Sequence, residues 1–91
     1  MLDISDEAIQ TFRQEWGVKE GQFVRIYVKY AGGGSDAFSV GINVSADPID
    51  PVIVESFGGI HFFIEKSDDW LMSEYKLAID SKENEIFFAS N

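Results

Sequence analysis

Two alternating apolar patterns on either side of three consecutive glycines constrain this chain more than any other feature. Residues 23–30, FVRIYVKY, place valine, isoleucine and tyrosine at every second position, and residues 38–44, FSVGINV, repeat the alternation. An apolar residue at every second position is typical of a strand with one buried face. The glycines between the two patterns allow a tight turn or a close approach of the backbone. We therefore predict two strands joined as a hairpin by a wide glycine loop.

A second hairpin is predicted around Gly58 and Gly59. The β-rich runs VIVESF and IHFFIE flank these glycines, which accept the positive φ that a two-residue hairpin turn requires. Pro48 and Pro51 precede the first run and exclude regular strand pairing there, so SADPIDP is expected to be a loop. The alternation in the second run predicts one face made of Ile60, Phe62 and Ile64, and an opposite face made of His61, Phe63 and Glu65.

Helical patterns are confined to two short segments. Residues 5–16, SDEAIQTFRQEW, begin with a good N-cap, Ser5, and place apolar side chains at helical spacing. A short helix is predicted near residues 67–74, with Ser67 as its cap. The segments YKLAID and EIFFAS, joined by the turn SKEN, predict two final strands. The expected class is α+β and mostly β, with about six strands in one domain.

Composition excludes several kinds of site. The chain has no cysteine and one histidine, so disulfides, thiolate metal sites and histidine-rich metal sites are excluded. The net charge of −9 opposes binding to nucleic acid and to anionic membranes. No apolar run approaches the roughly 18–20 residues that span a bilayer, and no secretion signal is evident. These features predict a soluble cytoplasmic protein.

The segment RIYVKYAGGGSDAFSVGI resembles the HesB/IscA-like family of A-type iron–sulfur carriers. In that family a Gly-Gly-Gly-Cys-Ser-Gly-Phe loop joins two strands, so Ser35 stands at the position of a cluster-ligand cysteine, while Phe38 and Gly41 match. FGGIHFFIEKSDDWLMSEYKLAI and IFFASN resemble the hairpin, the short acidic helix and the final strand. The resemblance covers residues 2–91. It implies that residues 1–91 form a single HesB/IscA-like domain with two packed mixed sheets.

The chain departs from the family at its ligands. The family's second motif, Cys-Gly-Cys, would follow Asn91, and no cysteine is present. Thiolates hold iron–sulfur clusters, and the hydroxyl of Ser35 is a poor substitute. The closer resemblance is to a cysteine-less, YneR-like branch. It predicts no cofactor and a non-enzymatic partner-binding or accessory protein, with the iron–sulfur assembly machinery as a candidate partner and a homodimer left open.

The glycine loop is the predicted partner or ligand surface. A phosphate cradle there is disfavoured, because a strand rather than a helix follows and the Gly-Lys-Ser/Thr signature is missing. His61 is a secondary candidate on the second hairpin. The loop residues concerned are Gly32, Gly33, Gly34, Ser35, Asp36 and Phe38.

Two other chemistries compete with this interpretation. Ser35, Asp36 and His61 are residue types of acyl transfer, but no nucleophile-elbow pattern surrounds the serine. Carboxylates such as Asp47 and Asp50 are ligands for Ca²⁺ or Mg²⁺, yet EF-hand spacing is absent, and Asp68 with Asp69 is explained by helix capping. We predict no catalytic residue and no metal. The alternative function is a small-ligand or hard-metal binder that uses the glycine loop, His61 and acidic side chains.

Overall fold

A computed structural model describes residues 2–30, 38–70 and 77–90, without the side chains of residues 30, 38, 39, 89 and 90. The mostly β, α+β class is confirmed, with seven strands in the described residues rather than about six, because a three-residue strand precedes the helix. The elements are β1 (Leu2–Ile4), α1 (Asp6–Gln14), β2 (Phe23–Tyr30), β3 (Phe38–Asn43), β4 (Pro51–Phe57), β5 (Ile60–Glu65), a 3₁₀ turn (Lys66–Asp68), β6 (Leu77–Lys82) and β7 (Glu85–Ser90).

Four strands form a mixed sheet in the order β3-β2-β5-β4. Both predicted hairpins are confirmed, since β2 pairs antiparallel with β3 and β4 pairs antiparallel with β5. Gly58 and Gly59 form the turn of the second hairpin with φ of +57° and +81°. The two hairpins meet through a parallel pairing of β2 with β5, which aligns Val24 with Phe62. The order places β4 at one edge of the sheet.

The remaining strands form a second mixed sheet in the order β1-β6-β7. Strand β1 runs parallel to β6, and β6 pairs antiparallel with β7. The predicted SKEN turn is confirmed, with Glu83 and Asn84 at φ of +53° and +64°. These values belong to the left-handed region that a two-residue hairpin turn uses.

The hydrophobic core lies between the two sheets and α1. Phe12 of α1 is fully buried and packs on Phe62 of β5, with ring centroids 5.4 Å apart. The helix begins where Ser5 Oγ accepts the Ala8 N–H at 3.1 Å, and Gly17 follows its end at φ +69°. Side chains from β1, α1, β2, β5 and β6 together form this core. No helix in the described ranges is long and apolar enough to cross a membrane.

One local prediction, the Ser67 cap of the short late helix, is wrong. The 3₁₀ turn Lys66–Asp68 has no side-chain cap from Ser67, and the described residues 69–70 that follow it are helical; residues 71–76 of the predicted 67–74 helix lie outside the described residues. Gly41 of β3 lies opposite Tyr27 of β2, whose ring covers it. A Cβ at Gly41 would lie 2.5 Å from Tyr27 Cζ.

Candidate functional site

The glycine loop lies outside the described residues. Its flanking backbone is described, because Tyr30 at the end of β2 pairs with Phe38 at the start of β3. Ser35 and Asp36 belong to residues 31–37, outside the described ranges. The interpretation of this loop as a contact surface therefore stays a prediction.

The outer face of the four-stranded sheet, the face opposite the core, carries most of the described candidate residues. The parallel register of β2 and β5 places Phe23 beside His61 and Arg25 beside Phe63. Phe63 is fully buried although it lies on this outer face and outside the main core cluster. Phe23 is one of the residues that cover Phe63, through a T-shaped contact with 6.2 Å between the ring centroids. The outer face is thus partly packed rather than open.

His61 pairs with a serine that sequence reasoning missed. Its Nδ1 lies 2.6 Å from Ser56 Oγ, and its ring stacks on Phe23 at 4.9 Å. The signal for this pair was available, because a two-residue Gly58–Gly59 turn places Ser56 directly opposite His61. A serine beside an imidazole is the start of a nucleophile–base pair, but the described residues show no third group that orients the imidazole. The contact is a solvent-exposed hydrogen bond between paired strands.

Arg25 fastens the 3₁₀ turn to the sheet. Its Nη2 lies 3.3 Å from Asp68 Oδ2, and its guanidinium carbon lies 5.5 Å from the centroid of the Tyr27 ring. Arg25 Nε is buried and has no hydrogen-bond partner among the described residues. The interpretation of Asp68 as a capping residue is therefore incomplete, because its carboxylate forms an ion pair across the outer face.

Glu65 holds the loop that precedes β4. The side chain is 7% exposed, and its two carboxylate oxygens accept the backbone N–H groups of Ile49 and Asp50 at 3.1–3.3 Å. The Asp50 carbonyl in turn accepts the Lys66 N–H at 2.9 Å. Sequence reasoning missed this contact, although a glutamate that closes the apolar run IHFFIE was a visible signal. The loop is fixed by charge-assisted hydrogen bonds, which are among the stronger kind.

The fixed loop leaves an apolar surface at the edge of the sheet. Ile49 is 89% exposed, Val52 is 40% exposed and Val54 is 48% exposed. The register of β4 shifts between Pro51 and Ile53, so Val52 lies at a bulge. We call Ile49, Val52 and Val54 the β4 edge.

The described acidic residues do not form a metal centre. No group of three or more histidine, aspartate or glutamate side chains suited to a metal occurs in the part of the chain that the structure describes. Asp68 is committed to Arg25. A shallow cavity of about 470 Å³ is lined by residues 21–23 and 44–47, and His61 is not among its lining residues. No described observation favours the small-ligand alternative.

The donor set does not fit the iron–sulfur cluster that the fold family implies. Such clusters are held by thiolates, and this chain has no cysteine. Its side-chain sulfur comes only from Met1 and Met72, whose thioethers carry no charge. The residues of this chain therefore do not fit an iron–sulfur cluster.

Known proteins resemble this chain both in sequence and in structure. No family model matches the chain. Over 85 residues it is 29% identical to the pyruvate dehydrogenase inhibitor of Bacillus subtilis (strain 168), a match that covers 91% of this chain and 88% of the relative. The crystal structure of IscA with the [2Fe-2S] cluster superposes with a TM-score of 0.67 at 20% identity, covering all of this chain and 84% of the other.

The structural match and the sequence match support different conclusions. The superposition establishes the architecture, because structures this similar share their topology even at low identity. The match to the inhibitor extends over nearly the whole length of both chains. The chain therefore has the HesB/IscA-like fold in a cysteine-less form, as the glycine loop and the missing ligands indicated.

Proposed function

We propose that this chain is a non-enzymatic cytoplasmic accessory protein that acts by binding another protein, and that its target is pyruvate dehydrogenase. One observation carries the proposal. A chain with the IscA fold lacks every thiolate donor and is similar along its length to a protein named as an inhibitor of that enzyme. Because a fold does not imply a function, the donor set carries more weight than the architecture.

The polar groups of the outer face support binding rather than catalysis. Glu65 is committed to two backbone N–H groups, and Asp68 is committed to Arg25. Groups that are already satisfied by structural partners stabilise the fold and have little freedom to react. The glycine loop, from Gly32 to Phe38, remains a proposed contact of the same partner.

The test adds the purified protein to a purified pyruvate dehydrogenase complex and follows NADH formation from pyruvate. We expect saturable inhibition that depends on the protein concentration. The control is an unrelated protein of equal size and similar negative charge, because a chain of net charge −9 can disturb a basic enzyme non-specifically. Absence of both inhibition and binding would contradict the choice of target.

A pull-down with the iron–sulfur assembly proteins separates the two partner assignments. If those proteins bind and pyruvate dehydrogenase does not, the accessory role stands and the target changes. Sedimentation of the free protein at several concentrations shows whether it acts as a monomer or a homodimer.

A further inference from the structure

We propose that the β4 edge inserts into an apolar pocket rimmed by lysine and arginine on the partner protein. This inference rests on the proposed function, because it names the surface through which the partner is bound. It does not depend on the glycine loop, which in the sequence separates β2 from β3.

The first support is the way in which Ile49 is held. A large apolar side chain that is 89% exposed contributes nothing to the core, yet a buried carboxylate fixes its backbone. Glu65 is one of three buried polar or charged residues in the described chain. Removing a carboxylate from water costs free energy, and here the hydrogen bonds that offset this cost go to the loop of Ile49. A side chain that is fixed before binding loses less conformational entropy when it enters a pocket.

The second support is the concentration of exposed apolar surface. The described residues include five large apolar side chains with high exposure, and three of them lie within residues 49–54. The other two, Trp16 and Phe87, lie apart on the α1 side and on β7. Val54 pairs with Phe63, and Glu65 lies two residues further along β5 on the same face. Val54 therefore lies on the outer face, and Glu65 holds the backbone of Ile49 at the same margin of the sheet.

The charges near Ile49 indicate which kind of partner fits the β4 edge. Ile49 lies between Asp47 and Asp50, which are both exposed, and one basic residue, Lys66, is held beside Asp50 by a backbone hydrogen bond. A second copy of this chain would bring the same carboxylates and a net charge of −9, so self-association through this surface is opposed. A pocket with a cationic rim matches both the apolar centre and its acidic border.

The edge is also a poor template for an added strand. Pro51 begins β4 and cannot donate a backbone hydrogen bond, and the bulge at Val52 disturbs regular pairing. Recognition is therefore expected to use the side chains of Ile49 and Val54 rather than the backbone of β4.

The experiment measures inhibition of the pyruvate dehydrogenase complex by the wild type and by surface variants. We expect Ile49→Ser to raise the half-inhibiting concentration at least about tenfold, the size of effect typical of an anchor residue. The matched control is Phe87→Ser, an exposed aromatic on the other sheet, which should shift it less than about twofold. Replacing Asp47 and Asp50 together by lysine should weaken inhibition most at low salt. Unchanged thermal unfolding shows that each variant is folded.

The outcomes separate the two proposals. If the wild type inhibits and Ile49→Ser inhibits equally well, the proposed surface is wrong and the proposed function stands. If the wild type does not bind the complex, the function fails, and the surface is then tested with a photo-crosslinking amino acid at position 49 or, as control, 87 in living cells. Crosslinks from position 49 alone to a protein with a basic, apolar surface support it. Crosslinks to a second copy of this chain, or none at all, overturn it.

Discussion

The carboxylate of Glu65 holds the loop before β4 through hydrogen bonds. It is nearly buried, and both of its oxygens receive backbone N–H groups from Ile49 and Asp50. We expect Glu65→Gln to lower the free energy of unfolding by about 1–3 kcal/mol, because the amide supplies one neutral acceptor and turns a donor toward a backbone N–H. Urea unfolding measures the change.

The exposed Asp47, in the same loop, offers the matched control. Asp47→Asn should leave the unfolding free energy within about 0.5 kcal/mol of the wild type. Amide hydrogen exchange at Ile49 should accelerate in Glu65→Gln and not in Asp47→Asn. Equal stability of the two variants would show that the contact does not hold the loop.

Among the elements, α1 is tied to β6 through hydrogen bonds that respond to pH. Ser5 Oγ caps α1 and also donates to Asp80 Oδ1 at 2.6 Å, while the Ser81 N–H donates to the same oxygen at 2.8 Å. The Ser5 hydroxyl, followed by the Ser81 N–H, lowers the pKa of Asp80 below its ordinary value of 3.8. The folded state therefore binds this proton less tightly than the unfolded state does.

The stability that Asp80 contributes is present above pH 3.8 and is lost as the pH falls through the lowered pKa. Asp80→Asn removes this titration, so we expect the difference in unfolding free energy between wild type and variant to shrink on acidification. Ser5→Ala should weaken the same pH dependence and also remove the helix cap, at about 1 kcal/mol. Denaturant unfolding across the acidic range measures both, and a pH-independent difference would refute the assignment.

The hairpins were predictable and their assembly was not. Alternation and the Gly58–Gly59 turn are local, so β2, β3, β4 and β5 could be read along the chain. The pairing of β1 with β6 joins three residues to a partner far away in sequence, and nothing in Leu2–Ile4 announces it. Contacts between residues far apart in the sequence also escaped prediction at the candidate site. His61 stood out as the one histidine, whereas Arg25 and Asp68 become partners only when β2 and β5 meet.

At the scale of the whole molecule, the IscA fold and the IscA cofactor are separable. The superposition covers the entire chain, yet identity is 20% and no cysteine remains. The core between the sheets is made of apolar side chains that make no use of a cluster. A domain stabilised in this way does not need a cluster to hold its architecture, so its fold does not decide its function.

This separation predicts the result of cluster reconstitution. After anaerobic incubation with iron and sulfide and removal of excess reagents, we expect no fixed ratio of iron and acid-labile sulfide to polypeptide, because hydroxyl and thioether donors do not replace thiolates. An IscA protein treated in parallel is the control for the procedure. The variant Ser35→Cys is also expected to bind no stoichiometric cluster, because it supplies only one of the thiolates that the family uses. A stoichiometric cluster on the wild-type chain would mean that oxygen or external sulfur ligands suffice. Such a result would favour a cluster carrier, and the proposed inhibition of pyruvate dehydrogenase would then be measured with the cluster-loaded protein.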